Sequence, residues 1–136
     1  MHCDTTIGNV NIKINTKRLD ENLRRAQMML NLRVVADSNE YVPMSQGGLR
    51  SRVRYPDGIY GGCFEYDSPY AHYQWEGDLY LTEDGRSWAN KYEKKYPTGI
   101  PLKYHHPGTT DHWFEKAKTE HLEEWIDLVR KEVGKD

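Results

Sequence analysis

The residue types best suited to catalysis or metal binding are histidine and cysteine. His105, His106 and His112 lie close together near the start of the last predicted helix. A zinc site needs three or four ligands that converge on one point. Because neighbouring side chains of an extended chain point to opposite faces, His105 and His106 are poorly placed to share one ion. The sequence therefore predicts no metal and no cofactor, and a small metal-dependent enzyme that uses these three histidines is the alternative.

Cys3 and Cys63 are too few for a disulfide framework, and free thiols in a reducing cytosol are the simpler interpretation. We expect Cys63 to be a small buried packing residue and Cys3 a thiol at a frayed chain end. A nucleophilic pair of Cys63 with a histidine lacks an identifiable third group to orient it. The sequence has no Gly-rich phosphate loop, Gly-x-Ser-x-Gly elbow or His-Glu-x-x-His motif. It therefore predicts no catalytic residue and no enzyme activity.

Three arginines, Arg50, Arg52 and Arg54, alternate with apolar or small residues and would form a basic stripe on one face of a strand. One interpretation is contact with phosphate groups or with an acidic neighbour, which guanidinium groups bind through charge-assisted hydrogen bonds. The other interpretation is a solvated face that protects the strand from aggregation. The residues alone leave both open.

The aromatic residues are mostly those with a polar tip: ten tyrosines and four tryptophans against two phenylalanines. Such residues are enriched at protein interfaces because they combine a large apolar area with a hydrogen-bonding group. Tyr60, Phe64, Tyr66, Tyr70 and Tyr73 would offer a stacking platform for single-stranded nucleic acid. The net charge of -2 instead favours packing in the core or between subunits.

The composition limits the classes of protein to which the chain can belong. Its 136 residues fit one domain, 1–136, and a hydrophobic fraction of 37% indicates a modest core. No apolar run approaches the roughly 18 residues of a membrane-spanning helix, and the sequence does not open with a signal-peptide pattern. Lys and Arg total 19 against 21 acidic residues, so a global positive field for DNA binding is not expected. We expect a soluble, cytosolic protein.

A strand and a helix are expected at the start of the chain. Residues 10–14 alternate as in a half-buried strand, and a helix follows from about Thr16 to residues 37–38. An apolar stripe at helical spacing should face the core, formed by Leu19, Leu23, Ala26, Leu30 and Val34.

The middle of the chain predicts a hairpin and a short helix. Strands over 49–55 and 59–66 flank a Pro-Asp-Gly turn, and a helix over 70–76 follows an N-cap at Ser68. Short strands are expected at 79–81 and 102–104. Between them, 83–98 is a charged, exposed insertion that orders only against a neighbour.

A long helix is expected at the end of the chain. Thr109 or Thr110 should cap it, and it runs for about 24 residues to Gly134. One side carries Trp113, Ala117, His121, Trp125 and Leu128, and the adjacent side carries Leu122, Ile126, Val129 and Val133. The elements predict an α+β fold: a small antiparallel sheet flanked by an N-terminal helix and a long C-terminal helix, with a short inserted helix.

Two blocks of the sequence indicate a family. The segment 55–77, YPDGIYGGCFEYDSPYAHYQWEG, resembles the minor capsid proteins of tailed bacteriophages, which are similar to the head-to-tail joining or tail-completion group. The hallmark is a tyrosine–alanine pair that opens a short aromatic helix, matched here by Tyr70, Ala71, Tyr73, Trp75, Gly77 and Tyr80. The block 101–118 has a Pro-Gly turn before an aromatic, Lys/Ala-rich helix, matched by Pro107, Gly108, Trp113, Phe114, Ala117 and Lys118. The charged stretch 83–96 is not aligned.

This resemblance implies a structural virion protein that forms a homo-oligomeric ring in the neck, sixfold rather than twelvefold. Its partners would be copies of itself, neighbouring head-completion and tail proteins, and passing double-stranded DNA read without sequence specificity, with no membrane. The ring would assemble in the bacterial cytoplasm. Arg50, Arg52 and Arg54 then become candidates for a DNA-channel or inter-ring face. Tyr70, Ala71, Tyr73, Trp75, Trp113 and Phe114 become interface candidates. A monomeric adaptor that binds a host protein through the Tyr-rich hairpin is a further alternative.

Overall fold

The structure is a computed structural model that describes residues 2–43, 48–104 and 108–136. In chain order the elements are β1 (His2–Ile7), β2 (Val10–Asn15), α1 (Lys17–Asn39), β3 (Val53–Arg54), β4 (Glu65–Tyr66), α2 (Ala71–Glu76), β5 (Asp78–Leu81), β6 (Tyr96–Pro101) and α3 (Trp113–Val133). The strands form three separate antiparallel pairs, β1–β2, β3–β4 and β5–β6. The predicted α+β class with a long C-terminal helix is confirmed.

Two helices, α1 and α3, pack against each other and carry the core. Val34, Ala117 and Trp125 are buried between them, with Leu30, Tyr41, Phe64 and Phe114 packed around. A neighbouring cluster of Val42, Leu49 and Trp113 joins this pair to α2 through Tyr66, Ala71 and Trp75. Burial of these apolar side chains is the main source of stability. The helices thus pack on each other rather than on the two faces of a single sheet.

The bounds predicted for α1 are confirmed, but half of its apolar stripe is not buried. Ala26 and Val34 are buried, whereas Leu19 and Leu23 are 43% and 48% exposed. The core against α3 therefore begins about two turns into α1. The side of α3 that is predicted to face the core does so, because Trp113, Ala117 and Trp125 are all buried.

Buried amide side chains fix how the helices sit. The Asn22 amide of α1 donates to the carbonyls of Val133 (3.1 Å) and Lys135 (2.6 Å), at the C-terminal end of α3. The last carbonyls of a helix have no intrahelical partner, so Asn22 caps α3 from another element. The Asn31 amide donates to the carbonyls of Ile59 (2.8 Å) and Gly61 (2.6 Å) and holds the 55–64 loop against α1.

The predicted strands over 49–55 and 59–66 are largely wrong. Pairing is limited to Val53 opposite Tyr66 and Arg54 opposite Glu65. Residues Leu49–Ser51 form a 3-10 turn instead. The 59–62 stretch gives its carbonyls to Asn31, and its two glycines add no side chains for cross-strand packing. The turn itself is as predicted, with the Gly58 amide bonded to the Tyr55 carbonyl at 3.1 Å.

The short helix α2 begins one residue later than predicted and ends where expected. Its N-cap position is Tyr70, whose amide is 3.3 Å from the Ser68 hydroxyl. Gly77 ends it at φ 73°, and a Cβ there would lie 2.7 Å from the Asp111 carboxylate. Only glycine satisfies both the positive φ and this close approach.

The strand predicted at 102–104 is wrong, since β6 (Tyr96–Pro101) pairs with β5 instead. The predicted end of α3 at Gly134 is confirmed, but the predicted N-cap at Thr109 or Thr110 is wrong. His112 is the N-cap residue, at φ 42°, and makes no side-chain capping hydrogen bond. In the part of the chain that the structure describes, no helix combines the length and the apolar character that crossing a bilayer requires.

The charged insertion is exposed but holds itself in place. The Arg86 guanidinium bonds Asp84 (2.8 Å) and Glu93 (2.6 Å), and the Thr82 hydroxyl bonds Asp84 at 2.5 Å. These bonds lower the pKa of Asp84 to about 2. These ion pairs close the loop within the chain itself, and the expectation that the stretch orders only against a neighbour stays a prediction.

Candidate assembly surfaces

The three candidate arginines do not share one strand face. Arg50 lies in the 3-10 turn and donates from Nε to the Val42 carbonyl at 3.0 Å. Arg54 lies in β3 and pairs with Glu65 of β4. The predicted stripe is wrong because strand geometry extends over only two of the residues 49–55. Where the backbone is not an extended strand, side chains at alternate positions do not all point to the same face.

Arg52 is the arginine most available for an outside contact. Its side chain is exposed, while its backbone amide and carbonyl are fixed by Leu49 and Asp67. Among the described residues, no carboxylate lies within ion-pair distance of its guanidinium. An unpaired, exposed guanidinium on a fixed backbone is well suited to bind phosphate or carboxylate.

Four of the six motif residues build the core rather than a surface. Trp75 of α2 and Trp113 of α3 meet edge to face, with ring centroids 4.9 Å apart and planes at 88°. Ala71 packs in the same cluster. Phe114 stacks on Trp125 with centroids 6.1 Å apart. These contacts link α2 to α3, so the motif identifies the inner packing of the fold.

The two tyrosines of the motif are placed differently from each other. Tyr73 packs against Tyr80 at 4.9 Å, and the Lys95 ammonium lies 4.5 Å from its ring centroid. Tyr70 is 67% exposed at the start of α2. Of the six interface candidates, Tyr70 is therefore the one with a ring open to a partner.

The five aromatic residues of the proposed nucleic-acid platform do not form a common surface. Tyr66 donates its hydroxyl to Asn39 (2.9 Å) and packs on Trp113, and burial raises the pKa of its phenol. Tyr60 lies elsewhere, with the Arg24 guanidinium 4.3 Å from its ring centroid. Base stacking needs rings that are open side by side, which this arrangement does not provide.

The structure describes only one of the three clustered histidines, His112. His105 and His106 lie outside the described residues. The His112 ring packs 5.0 Å from Trp75, with Nδ1 3.5 Å from an Asp111 carboxylate oxygen. This position gives His112 a packing role at the start of α3.

Both cysteine predictions are wrong. Cys63 is exposed, two residues after Gly61, whose carbonyl accepts a hydrogen bond from Asn31. Cys3 is not at a frayed end, since its backbone pairs with Ile14 in the β1–β2 register.

A different set of titratable side chains meets between α1 and α3. Asp37, His121 and Glu124 place ligand-type atoms within 4.8 Å of one another. The Arg33 guanidinium already binds both carboxylates, at 3.0 Å from Asp37 and 3.3 Å from Glu124. The Trp125 indole also donates to Asp37, at 2.7 Å. Because Arg33 of α1 binds carboxylates of both helices, the group acts as an interhelical clamp.

The clamp favours the charged form of His121. His121 Nδ1 lies 2.9 Å from Glu124 and 3.9 Å from Asp37. The bond to Glu124, with the nearby Asp37 charge, raises the pKa of His121 above its ordinary value. Sequence reasoning missed this group, because its members come from two helices 84 or more residues apart along the chain. The available signal is that His121 and Trp125 lie on the side of α3 that the sequence predicts to face the core.

The β1–β2 hairpin exposes a continuous apolar face, which we call the hairpin face. Ile7, Val10, Ile12 and Ile14 share it, because side chains alternate along a strand and Ile7 pairs with Val10. Their exposed fractions are 65%, 59%, 39% and 48%. The partner strand β1 was not predicted, although Gly8-Asn9 between two alternating segments is a two-residue hairpin signal, with Gly8 at φ 61°.

A second uncovered apolar surface lies along the helix pair, and we call it the helix groove. It is about 420 Å³ in volume. Its apolar lining comes from both helices and includes Leu30, Val34, Leu122, Ile126 and Val129. Three of its lining residues, Leu122, Ile126 and Val129, belong to the adjacent side of α3 that the sequence predicts as apolar. Among the described residues, the hairpin face and the helix groove are therefore separate apolar surfaces in contact with water.

Comparison with protein families shows to which family the chain belongs. The family model described as Minor capsid protein matches residues 6–133, from the hairpin to the last turn of α3. The chain belongs to the minor capsid protein family. The match also runs through 83–96, which the two sequence blocks do not align. No curated protein and no solved structure matches the chain.

Family membership confirms the resemblance drawn from the two sequence blocks. It supports a structural role in a phage particle, a location in the virion and contact with other virion components. A structural family also agrees with the expected lack of catalytic function. In such a protein, uncovered apolar surfaces are candidates for contact with other chains.

Proposed function

We propose that this minor capsid protein forms a sixfold homo-oligomeric ring in the neck of a tailed phage. The ring joins the head to the tail and keeps a channel open for double-stranded DNA. It assembles in the bacterial cytoplasm and binds head-completion proteins on one side and tail proteins on the other. The observation that carries the proposal is the hairpin face, an arm of exposed aliphatic side chains in a virion protein.

A ring is supported by the number and kind of uncovered surfaces. Closed rings use two unlike patches on each subunit, which meet head to tail. This chain has two such patches, the hairpin face on a two-stranded arm and the helix groove on the helical body. A two-stranded hairpin alone is only marginally stable in water, so packing against another surface would stabilise the arm.

Within this ring we propose that Arg50, Arg52 and Arg54 lie toward the channel or an adjacent ring. Arg52 would make the main electrostatic contact, since Arg50 and Arg54 already bind partners in their own chain. An arginine that meets DNA phosphates or an acidic ring surface contributes attraction without reading sequence.

Quantitative mass spectrometry of purified virions tests the function. We expect this chain at a small fixed copy number, a multiple of six, far below the major capsid protein. Phage that lacks the gene should yield filled heads and free tails that do not join, and supplying the protein should restore joining. Infectious virions that contain none of this chain would overturn the proposal.

Charge reversal at Arg52 tests the electrostatic contact. Arg52→Glu should sharply lower the yield of joined, infectious particles, while Arg52→Lys retains most of it. Arg18→Glu is the matched control, because Arg18 is also an exposed arginine but lies at the start of α1 and pairs with Asp136. Normal joining with Arg52→Glu would remove Arg52 from the contact.

A further inference from the structure

The hairpin face and the helix groove match each other in length and chemistry. Each hairpin strand has six residues and is about 20 Å long at ~3.4 Å per residue. The groove follows α3 from Phe114 to Arg130, about 24 Å at ~1.5 Å per residue. Both surfaces present aliphatic side chains, so an arm of this length can lie along the groove.

We propose that the hairpin face of one copy packs into the helix groove of the next copy. The inference rests on the proposed ring and names its subunit contact. Each subunit then donates one arm and accepts one, so the same contact repeats around the ring and closes it.

The described residues of the chain leave its own groove uncovered. Every residue of β2 is exposed, and Leu122 of the groove is 39% exposed. Thr16 alone connects β2 to α1, while the groove's first residue on α1, Leu30, lies about 20 Å along the helix at 1.5 Å per residue. The arm therefore extends away from its own body and is available to another one.

The charge of the arm favours a copy of this chain over nucleic acid. The two strands carry one acidic residue, Asp4, and one basic residue, Lys13, so the arm has no net charge with neutral His2. Nucleic-acid binding depends on unbalanced positive charge. An uncharged aliphatic face instead matches the groove, which is lined by Leu, Ile and Val residues together with Phe114, Trp125 and the side chains of Lys118 and Arg130.

The size of the contact predicts how strongly it forms. A four-residue aliphatic face and its groove bury on the order of 1,000 Å² in total, which is the range of weak, reversible interfaces. A ring adds a second such contact for each subunit. We therefore expect association that depends on concentration in solution and is favoured when neighbouring rings bring copies together.

Two variants separate the donor surface from the acceptor surface. Ile12→Asp places a charge on the hairpin face, and Ile126→Asp places one in the helix groove. Matched controls add a negative charge nearby: Asn11→Asp, on the polar side of the same strand, and Thr119→Asp, on α3 outside the groove lining. Circular dichroism and thermal unfolding establish that each variant is folded, and Leu122→Asp replaces Ile126→Asp if that variant unfolds.

Sedimentation velocity over a concentration series provides the readout. We expect the wild type and both controls to associate, and each Asp variant alone to need at least about tenfold more protein, the effect of ~1.4 kcal/mol. An equimolar mixture of the two variants should form a one-to-one dimer, because one intact arm meets one intact groove. It should stop there, because the other arm and the other groove are both defective.

Three results would overturn the inference: wild-type protein that stays monomeric at all concentrations, Asp variants that associate as the wild type does, or a mixture that forms no dimer. The ring proposal itself is tested by a separate measurement, the copy number of the chain in virions. A fixed copy number with normally associating variants overturns only this contact. Absence from virions overturns the neck function, whatever the mixture does.

Discussion

The helix pair and the hairpin arm use the same residue types in opposite ways. In the helix pair Val34 is 7% exposed and the Asn22 amide binds two carbonyls. In the arm Val10 is 59% exposed and Asn11 faces solvent. Side chains that stabilise a fold in the first setting contribute almost nothing in the second.

This difference separates the residues that fold the subunit from those available to join it to others. The body gains its stability from the α1–α3 contact and from the cluster around Trp113. The arm can therefore change its sequence with little effect on monomer folding. The sequence of such a surface can therefore be selected for binding a partner rather than for folding.

Removing the central tryptophan should break the helix pair most strongly. Trp125→Ala deletes the ring that stacks on Phe114 and removes the indole donor from Asp37. We expect a loss of about 3–5 kcal/mol in the free energy of unfolding, measured by urea denaturation. Trp88→Ala, at a 61% exposed tryptophan, should change it by less than about 0.5 kcal/mol. Equal losses would contradict the division into body and exposed segments.

Removing the cap on α3 should have the next largest effect. Asn22→Ala leaves the carbonyls of Val133 and Lys135 without their side-chain donor. The expected loss is about 1–3 kcal/mol, with faster amide exchange in the last turn of α3. Asn11→Ala makes the same substitution in the arm and should leave the unfolding free energy nearly unchanged. A large effect of Asn11→Ala would show that the arm belongs to the folded body.

The clamp should give the helix pair a pH dependence that the arm lacks. Because folding raises the pKa of His121, its contribution is complete below the ordinary value of 6.5 and is lost as pH rises through the raised value. The wild type should therefore lose more stability between pH 6 and pH 8.5 than His121→Gln does. NMR titration should place the pKa of His121 above 6.5, and a value at or below it would contradict the clamp.

The smallest expected effect is in the arm itself. Val10→Thr replaces a methyl group by a hydroxyl on the exposed hairpin face and should change the unfolding free energy by less than about 0.5 kcal/mol. Val34→Thr makes the same change in the core, where an unpaired hydroxyl costs roughly 1–3 kcal/mol. Thermal unfolding of both variants gives the comparison. A larger loss of unfolding free energy for Val10→Thr than for Val34→Thr would contradict the distinction between the arm and the helix pair.

The parts of the fold that were predictable are those set by local pattern. The periodicity of α1 and α3 specifies both helices, and alternation specifies β2. The polar core is different, because Asn22 is buried by carbonyls 111 and 113 residues away. No local pattern distinguishes it from Asn11. The same holds for Asp37, whose partners include an indole 88 residues along the chain.

The candidate surfaces were predictable only in part. Alternation at 49–55 matches a strand, yet the chain turns at Leu49–Ser51, because Asn39 and Arg50 bind backbone carbonyls across that segment. The aromatic motif correctly indicates the family, but Trp75 and Trp113 are internal. The helix groove follows from the second apolar side of α3, whereas its α1 half depends on how the two helices pack.

The bond between Asn22 and the end of α3 also decides how the subunit would bear a mechanical load. The arm leaves the body at Lys17, and Asn22 ties that end of α1 to Lys135. A pull on the arm along α1 then slides the antiparallel helices past each other instead of peeling them apart turn by turn. All of the contacts between the helices resist such a displacement together. A subunit tethered in this way resists stretching with its whole core.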